Sequence, residues 1–143
     1  MTISYGSCLC EAIQFEVSDF EPLVGHCHCR MCQKFHGAAF STFGEVKKAH
    51  LKWIKGEHQL KHYQASNESR RSFCKQCGSS LLFESVFNKS AGTIEIALAA
   101  FDVLDAPAPD AHIYLESKAG WCVINDDLPK YQEYRAKKPK AKL

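Results

Sequence analysis

Eight cysteines in 143 residues constrain this chain more than any other feature, because seven of them fall at metal-ligand spacing. They form three groups: Cys8-Leu9-Cys10, then Cys27-His28-Cys29-Arg30-Met31-Cys32, then Cys74-Lys75-Gln76-Cys77-Gly78. Cys122 stands apart. The N-terminal stretch shows no basic segment leading into an apolar run, and no later stretch reaches the roughly 20 apolar residues that a bilayer crossing needs. A cytoplasmic, reducing location is therefore expected, where clustered thiols serve metals or catalysis rather than disulfides.

A Cys-x-x-Cys turn followed by glycine aims both sulfurs at one ion, and Gly78 is expected to permit close backbone approach. Cys74 and Cys77 then need two more ligands. Cys8 and Cys10, one residue apart in an extended segment, would share one face and can supply them. The expected result is a closed tetrahedral site in which Cys8, Cys10, Cys74 and Cys77 hold a structural zinc. Such a site has no vacancy for substrate; its binding energy ties the first strand to a distant segment and staples the fold.

The middle group offers three sulfurs from one short segment. In an extended run through residues 26–29, Cys27 and Cys29 share one face while His26 and His28 point to the other, so neither histidine closes the site readily. Three protein ligands, Cys27, Cys29 and Cys32, with one exchangeable position describe a catalytic zinc. Thiolate ligands donate charge to the ion and acidify a bound water less than imidazoles do, which disfavours hydrolysis. They favour a substrate thiol held ready to attack an electrophile. The competing arrangement closes the tetrahedron with His36, His50 or another distant side chain and makes a second structural site. Two zinc ions per chain are expected, one structural and one catalytic.

The rest of the sequence sets the frame. Hydrophobic residues at 45% and charged residues at 24% are the balance of a soluble globular protein. One domain is expected over residues 1–134, followed by a basic tail, residues 135–143, with five cations and no acid. A net charge of +2 implies no polyanionic partner, so neither nucleic acid nor membrane is expected, and the tail reads as a solvated end. Ile13, Phe15 and Val17 alternate with polar neighbours as a strand does, Leu81 and Phe83 and residues 93–98 behave alike, and another strand is expected at residues 112–115 beyond a proline-containing loop. Short helical turns are expected at residues 30–35 and 101–104. The fold class is mainly β with small helical pieces.

Among the remaining candidates, His26 and His28 read as braces for the loop. Arg30 and Lys34 either meet a substrate carboxylate or are solvated charge. Trp53, Phe73 and Trp121 read as core or pocket-lining aromatics, with core the default, and Cys122 as a small buried hydrophobe. No interface stripe fixes an oligomeric state.

This pattern resembles the glutathione-dependent formaldehyde-activating enzyme family, also called S-(hydroxymethyl)glutathione synthase-like proteins and similar in part to centromere protein V. The resemblance rests on Gly6-Ser7-Cys8-Leu9-Cys10, on Cys27-His28-Cys29-Arg30-Met31-Cys32 with Gly37 and Phe40 following, on Arg71-Ser72-Phe73-Cys74-Lys75-Gln76-Cys77-Gly78 and on Trp121. It implies a β-tent of twisted antiparallel sheets, a structural zinc on Cys8, Cys10, Cys74 and Cys77, and a catalytic zinc on Cys27, Cys29 and Cys32. There glutathione and formaldehyde would combine to S-(hydroxymethyl)glutathione, a carbon–sulfur lyase run in reverse. The rival expectation is a non-catalytic zinc-binding interaction module of the same fold.

Overall fold

A computed structural model describes residues 2–135, so the basic tail beyond Arg135 lies outside the described residues. Turn-forming residues cut the strand-favouring sequence into short pieces. The elements in chain order are β1 (Ser4–Ser7), β2 (Gln14–Val17), β3 (Val24–Cys27), α1 (Arg30–His36), β4 (Ser41–Lys47), β5 (Leu51–Lys55), β6 (Leu60–Gln64), β7 (Arg70–Cys74), β8 (Ser80–Glu84), α2 (Val86–Ala91), β9 (Thr93–Ala97), β10 (Phe101–Val103) and β11 (Ala111–Ile113). The architecture is mainly β with short helices, as expected. Among the described residues no helix is long and apolar enough to cross a membrane.

Two local expectations fail. Residues 101–104 do not form a helical turn; Phe101–Val103 is strand β10, paired antiparallel with β1, and a 3-10 turn sits before it at Leu98–Ala100. Edge-to-face packing of Phe101 on Phe15 and Phe20 holds that segment extended, a tertiary contact that local periodicity does not encode. The second helix, α2, was not anticipated. Its signal was present as a capping box, in which the Ser85 hydroxyl accepts from the Asn88 N–H while the Asn88 side chain accepts from the Ser85 N–H.

The chain divides into two compact units, one of residues up to Leu23 with Phe43–Ala108, the other of Val24–Thr42 with the segment from Pro109 onward. In the first unit, β10, β1, β2 and β5 form an antiparallel sheet in that order. Strands β4, β9, β8, β7 and β6 follow one another in a second antiparallel array. Alternation along β2 buries Phe15 and Val17 and leaves Gln14 and Glu16 half-buried. They join Ile13, Val46, Leu81, Leu82, Ile94 and Ile96 in one core that also contains Cys8 and Cys74.

The turn after β5 depends on Gly56, whose φ is +78° and whose missing Cβ would lie 1.8 Å from the Ala12 carbonyl oxygen. Gly56→Ala combines a left-handed backbone with a backbone clash and is expected to cost at least ~2 kcal/mol. A urea titration measures this directly. A midpoint equal to that of the wild type would show that the turn yields without strain.

In the second unit, β11 lies parallel to β3 with His112 opposite His26 and Ile113 opposite Cys27. Residues 129–133 run beside it, through His112 N–H to Pro129 O, Tyr131 N–H to His112 O and Tyr114 N–H to Glu133 O. Arg135, assigned from sequence to the solvated tail, is instead anchored: its guanidinium donates to both carboxylate oxygens of Asp110 at 2.7 and 2.6 Å.

Candidate metal centres

The first cluster gathers where β1 and β7 end. Cys8, Cys10, Cys74 and Cys77 place their Sγ atoms within 4.8 Å of one another. Cys8 to Cys10 is 3.7 Å and Cys10 to Cys74 is 3.8 Å. Four sulfurs at about 2.3 Å from one tetrahedral zinc must stand ~3.8 Å apart, so these separations are those of the zinc cage itself. Backbone N–H groups point at the sulfurs, Ile13 N to Cys8 Sγ at 3.3 Å and Gln76 N to Cys74 Sγ at 3.4 Å, as suits thiolates. Unassisted, Cys77 and Cys10 do not ionise together. Although burial opposes it, hydrogen bonds from the Ser79 hydroxyl and backbone bring Cys77 down to about 5. Cys10 stands at about 11, because burial and the neighbouring sulfurs outweigh a hydrogen bond from the Ala12 backbone. A divalent cation removes that conflict, and the donor set fits zinc.

Two details of this loop pair differ from expectation. Cys8 and Cys10 are not in an extended segment: β1 ends at Ser7, and the Glu11 N–H bonds back to the Cys8 carbonyl at 3.0 Å in a tight turn. The turn, rather than strand alternation, brings the two sulfurs together. Nor does Gly78 permit close approach, since nothing lies within 4 Å of where its Cβ would be. Its φ of +77° is what demands glycine. Ser79 then links the two loops, its hydroxyl accepting from Leu9 N–H at 2.8 Å and standing 3.2 Å from Cys77 Sγ.

The second cluster is built on the N-terminal end of α1. Cys29 caps that helix from an extended backbone, its Sγ accepting from Cys32 N–H at 3.3 Å, and this short turn aims Cys29 and Cys32 the same way. Cys27, at the end of β3, completes a trio whose sulfurs lie within 4.8 Å of one another. No fourth Cys, His, Asp or Glu ligand atom joins them within that distance among the described residues. His36, weighed as a closing ligand, packs its ring on Phe35, and neither His36 nor His50 is in the cluster. The crowded thiols of Cys29 and Cys32, with burial, push the Cys27 thiol far up. Three converging sulfurs fit a soft cation here too.

The histidines turn away from the sulfurs, as alternation in an extended run dictates. His28 is fully buried and its Nε2 lies 2.8 Å from His112 Nδ1. His112 Nε2 lies 2.9 Å from the Asp126 carboxylate, so Asp126 accepts from His112, and His112 accepts from His28. Burial, followed by His112, His26 and Lys118, lowers His28 to about 4 and keeps it neutral. His26 pairs with the Thr42 hydroxyl at 2.7 Å and stacks on Phe40 and His112. Gln33, buried on α1, donates its amide to His28 O at 2.7 Å and Ser117 O at 2.9 Å, locking the helix to the cysteine loop.

His112, Asp126, Gln33 and Tyr114 were missed from sequence. Tyr114 sits in the left-handed region at φ 58°, a conformation that non-glycine residues adopt at a cost. Burial first, and then the electrostatic influence of Cys27 and Cys29, raise its phenol above the usual range. The aromatics separate. Trp53 and Phe73 are half-buried, Trp53 packing edge-on against Phe15, whereas Trp121 is 73% exposed and lines a cavity, so core was the wrong default for it. Cys122 is only half-buried.

Comparison with known proteins gives three findings. Residues 3–117 match the family model described as glutathione-dependent formaldehyde-activating enzyme. An uncharacterized lyase of Schizosaccharomyces pombe is 28% identical over 113 residues, which is 79% of this chain and 79% of that protein. A solved structure of a Rhodobacter sphaeroides protein aligns with a TM-score of 0.59 at 20% identity, covering 71% of this chain and 90% of that one, a likeness of fold.

Proposed function

Because the chain belongs to the glutathione-dependent formaldehyde-activating enzyme family, we propose that it is a zinc-dependent carbon–sulfur lyase-type enzyme that joins glutathione to formaldehyde as S-(hydroxymethyl)glutathione. In this reading Cys8, Cys10, Cys74 and Cys77 hold a structural zinc, and Cys27, Cys29 and Cys32 hold the catalytic one. The observation that carries it is the contrast between the clusters: four sulfurs complete a tetrahedron, and three leave one position for a substrate. When bound there, zinc supplies the charge that keeps a substrate thiol ionised near neutral pH.

The protein's own groups do the rest. The Cys29 cap and the Gln33 amide fix the three sulfurs on a rigid turn, so a thiol docked beside them meets the aldehyde in one orientation. The buried pair His28 and His112, tied to Asp126, braces the loop from behind. Tyr114, within electrostatic reach of Cys27 and Cys29, is an available O–H donor. In the bond-forming step the thiol gives up its proton, its sulfur pair forms the C–S bond, the carbonyl π pair moves to oxygen, and that oxygen takes up one proton in place of the one the thiol lost; the reverse breaks the C–S bond, and nothing is oxidised or reduced.

The test is exchange NMR on equilibrated glutathione and formaldehyde, since the reaction runs spontaneously and only its acceleration counts. Zinc-loaded protein should speed interconversion, and Cys29→Ser should lose roughly 10²-fold of that effect. A fully loaded protein that adds nothing to the spontaneous rate would leave the metal sites standing and move the function to another thiol or to binding.

A further inference from the structure

Helix α1 carries more than ligands. Residues Arg30, Gln33, Lys34, Gly37, Ala38 and Trp121 line a cavity of about 270 Å³ within the second unit, on the helix that Cys29 caps and that carries Cys32. Arg30 and Lys34 are four residues apart and so share a helix face. Both are exposed, and neither has a carboxylate in ion-pair reach among the described residues. Arg30 is nevertheless held in place: Nη1 donates to Gln33 Oε1 at 2.6 Å, and Gln33 is itself fixed through its amide to two backbone carbonyls. Arg30 thus lines the cavity already ordered. Trp121, 73% exposed, completes the wall with an indole face.

Two cations without counter-ions among the described residues, one of them pre-positioned by a buried glutamine, and an exposed tryptophan lining the same cavity together describe a site for an anionic, peptide-like ligand. We propose that this cavity binds a carboxylate of the peptidyl thiol substrate, with Arg30 taking it through its free N–H edge, Lys34 adding charge one turn on, and Trp121 covering the peptide backbone. The proposal rests on the thiol-substrate reading above and adds to it the residues that select an acidic peptide over a simple thiol. Arg30 and Lys34 become specificity residues, while chemistry stays with the cysteines.

S-Methylglutathione separates the two readings, because it keeps both carboxylates but has no thiol to offer a metal. Calorimetry on the intact zinc-loaded protein should show it bound by the wild type. Arg30→Gln and Lys34→Gln should each weaken it roughly tenfold, the size of one charge-assisted hydrogen bond, and its dimethyl ester should bind poorly. In turnover, both variants should raise KM for glutathione, leave kcat unchanged and leave KM for 2-mercaptoethanol unchanged. No binding of S-methylglutathione to the wild type, equal binding by the variants, or equal binding of the ester overturns the proposal. Charge-dependent binding without any acceleration of the formaldehyde reaction supports the carboxylate site and sinks the proposed reaction. Acceleration that is indifferent to both substitutions does the opposite.

Discussion

Cys74→Ser is expected to lose one metal equivalent together with the cooperative unfolding of the first unit. Cys74 is fully buried, ends β7, belongs to the hydrophobic core and shares its site with Cys8 and Cys10, more than sixty positions earlier. An ion on these sulfurs would thus be a cross-link through the core as well as a local clip. Structural zinc contributes on the order of 10–16 kcal/mol of apparent binding energy, against a total stability of roughly 5–15 kcal/mol for a domain of this size. Removing one thiolate forfeits much of the first quantity and also leaves a polar hydroxyl and three crowded thiols at the edge of an apolar core. Metal analysis with far-UV circular dichroism and a melting curve would show the loss. A Cys74→Ser protein that melts like the wild type would end the idea of a structural site here.

Cys32→Ser should behave in the opposite way. Cys32 is 4% exposed but lies in the second unit, and the core around Ile13, Phe15 and Leu81 does not include it. One metal equivalent should go, acceleration of the formaldehyde reaction should fall by roughly 10²-fold, and unfolding of the first unit should persist. Mild chelation should reproduce this order, stripping the three-sulfur cluster first, because an open site exchanges its ion more readily than a closed one. Simultaneous loss of both ions with unfolding would favour the interaction-module reading, in which both sites are structural.

The cysteine clusters were legible in the sequence because ligand spacing is a local property. Cys74 and Cys77 bracket one turn, Cys29 and Cys32 bracket another, and each pair already carries its geometry. The pairing of Cys8 and Cys10 with Cys74 and Cys77 followed from counting ligands to four, even though a turn rather than strand alternation aligns them. What stayed hidden was what long-range packing assembles. His112 and Asp126 have no motif, and only the pairing of β11 with β3 brings His112 to His28. Tyr114 acquires its place by the same pairing. Residues 101–104 look helical in isolation and become a strand because Phe101 seats against Phe15 and Phe20. Trp121 looked like core because tryptophan usually is; nothing in its neighbours Gly120 and Cys122 signals an exposed wall.

Each of the two units is assembled from two separate stretches of chain, and this shapes how the protein can be made. A ribosome delivers Cys27, Cys29 and Cys32 early, but Gln33 must wait for the Ser117 carbonyl, 84 positions later, before it can lock their helix. At about 5–20 residues per second that interval is roughly 4–17 s. For all of it the three thiols are chemically present without the backbone that orients them. The first unit, whose parts end at Ala108, is complete before then. On the proposed reading biosynthesis would order the metals: a stapling ion could be taken up while translation continues, and the three-sulfur centre would gain its full bracing only once the segment around Ser117 has emerged.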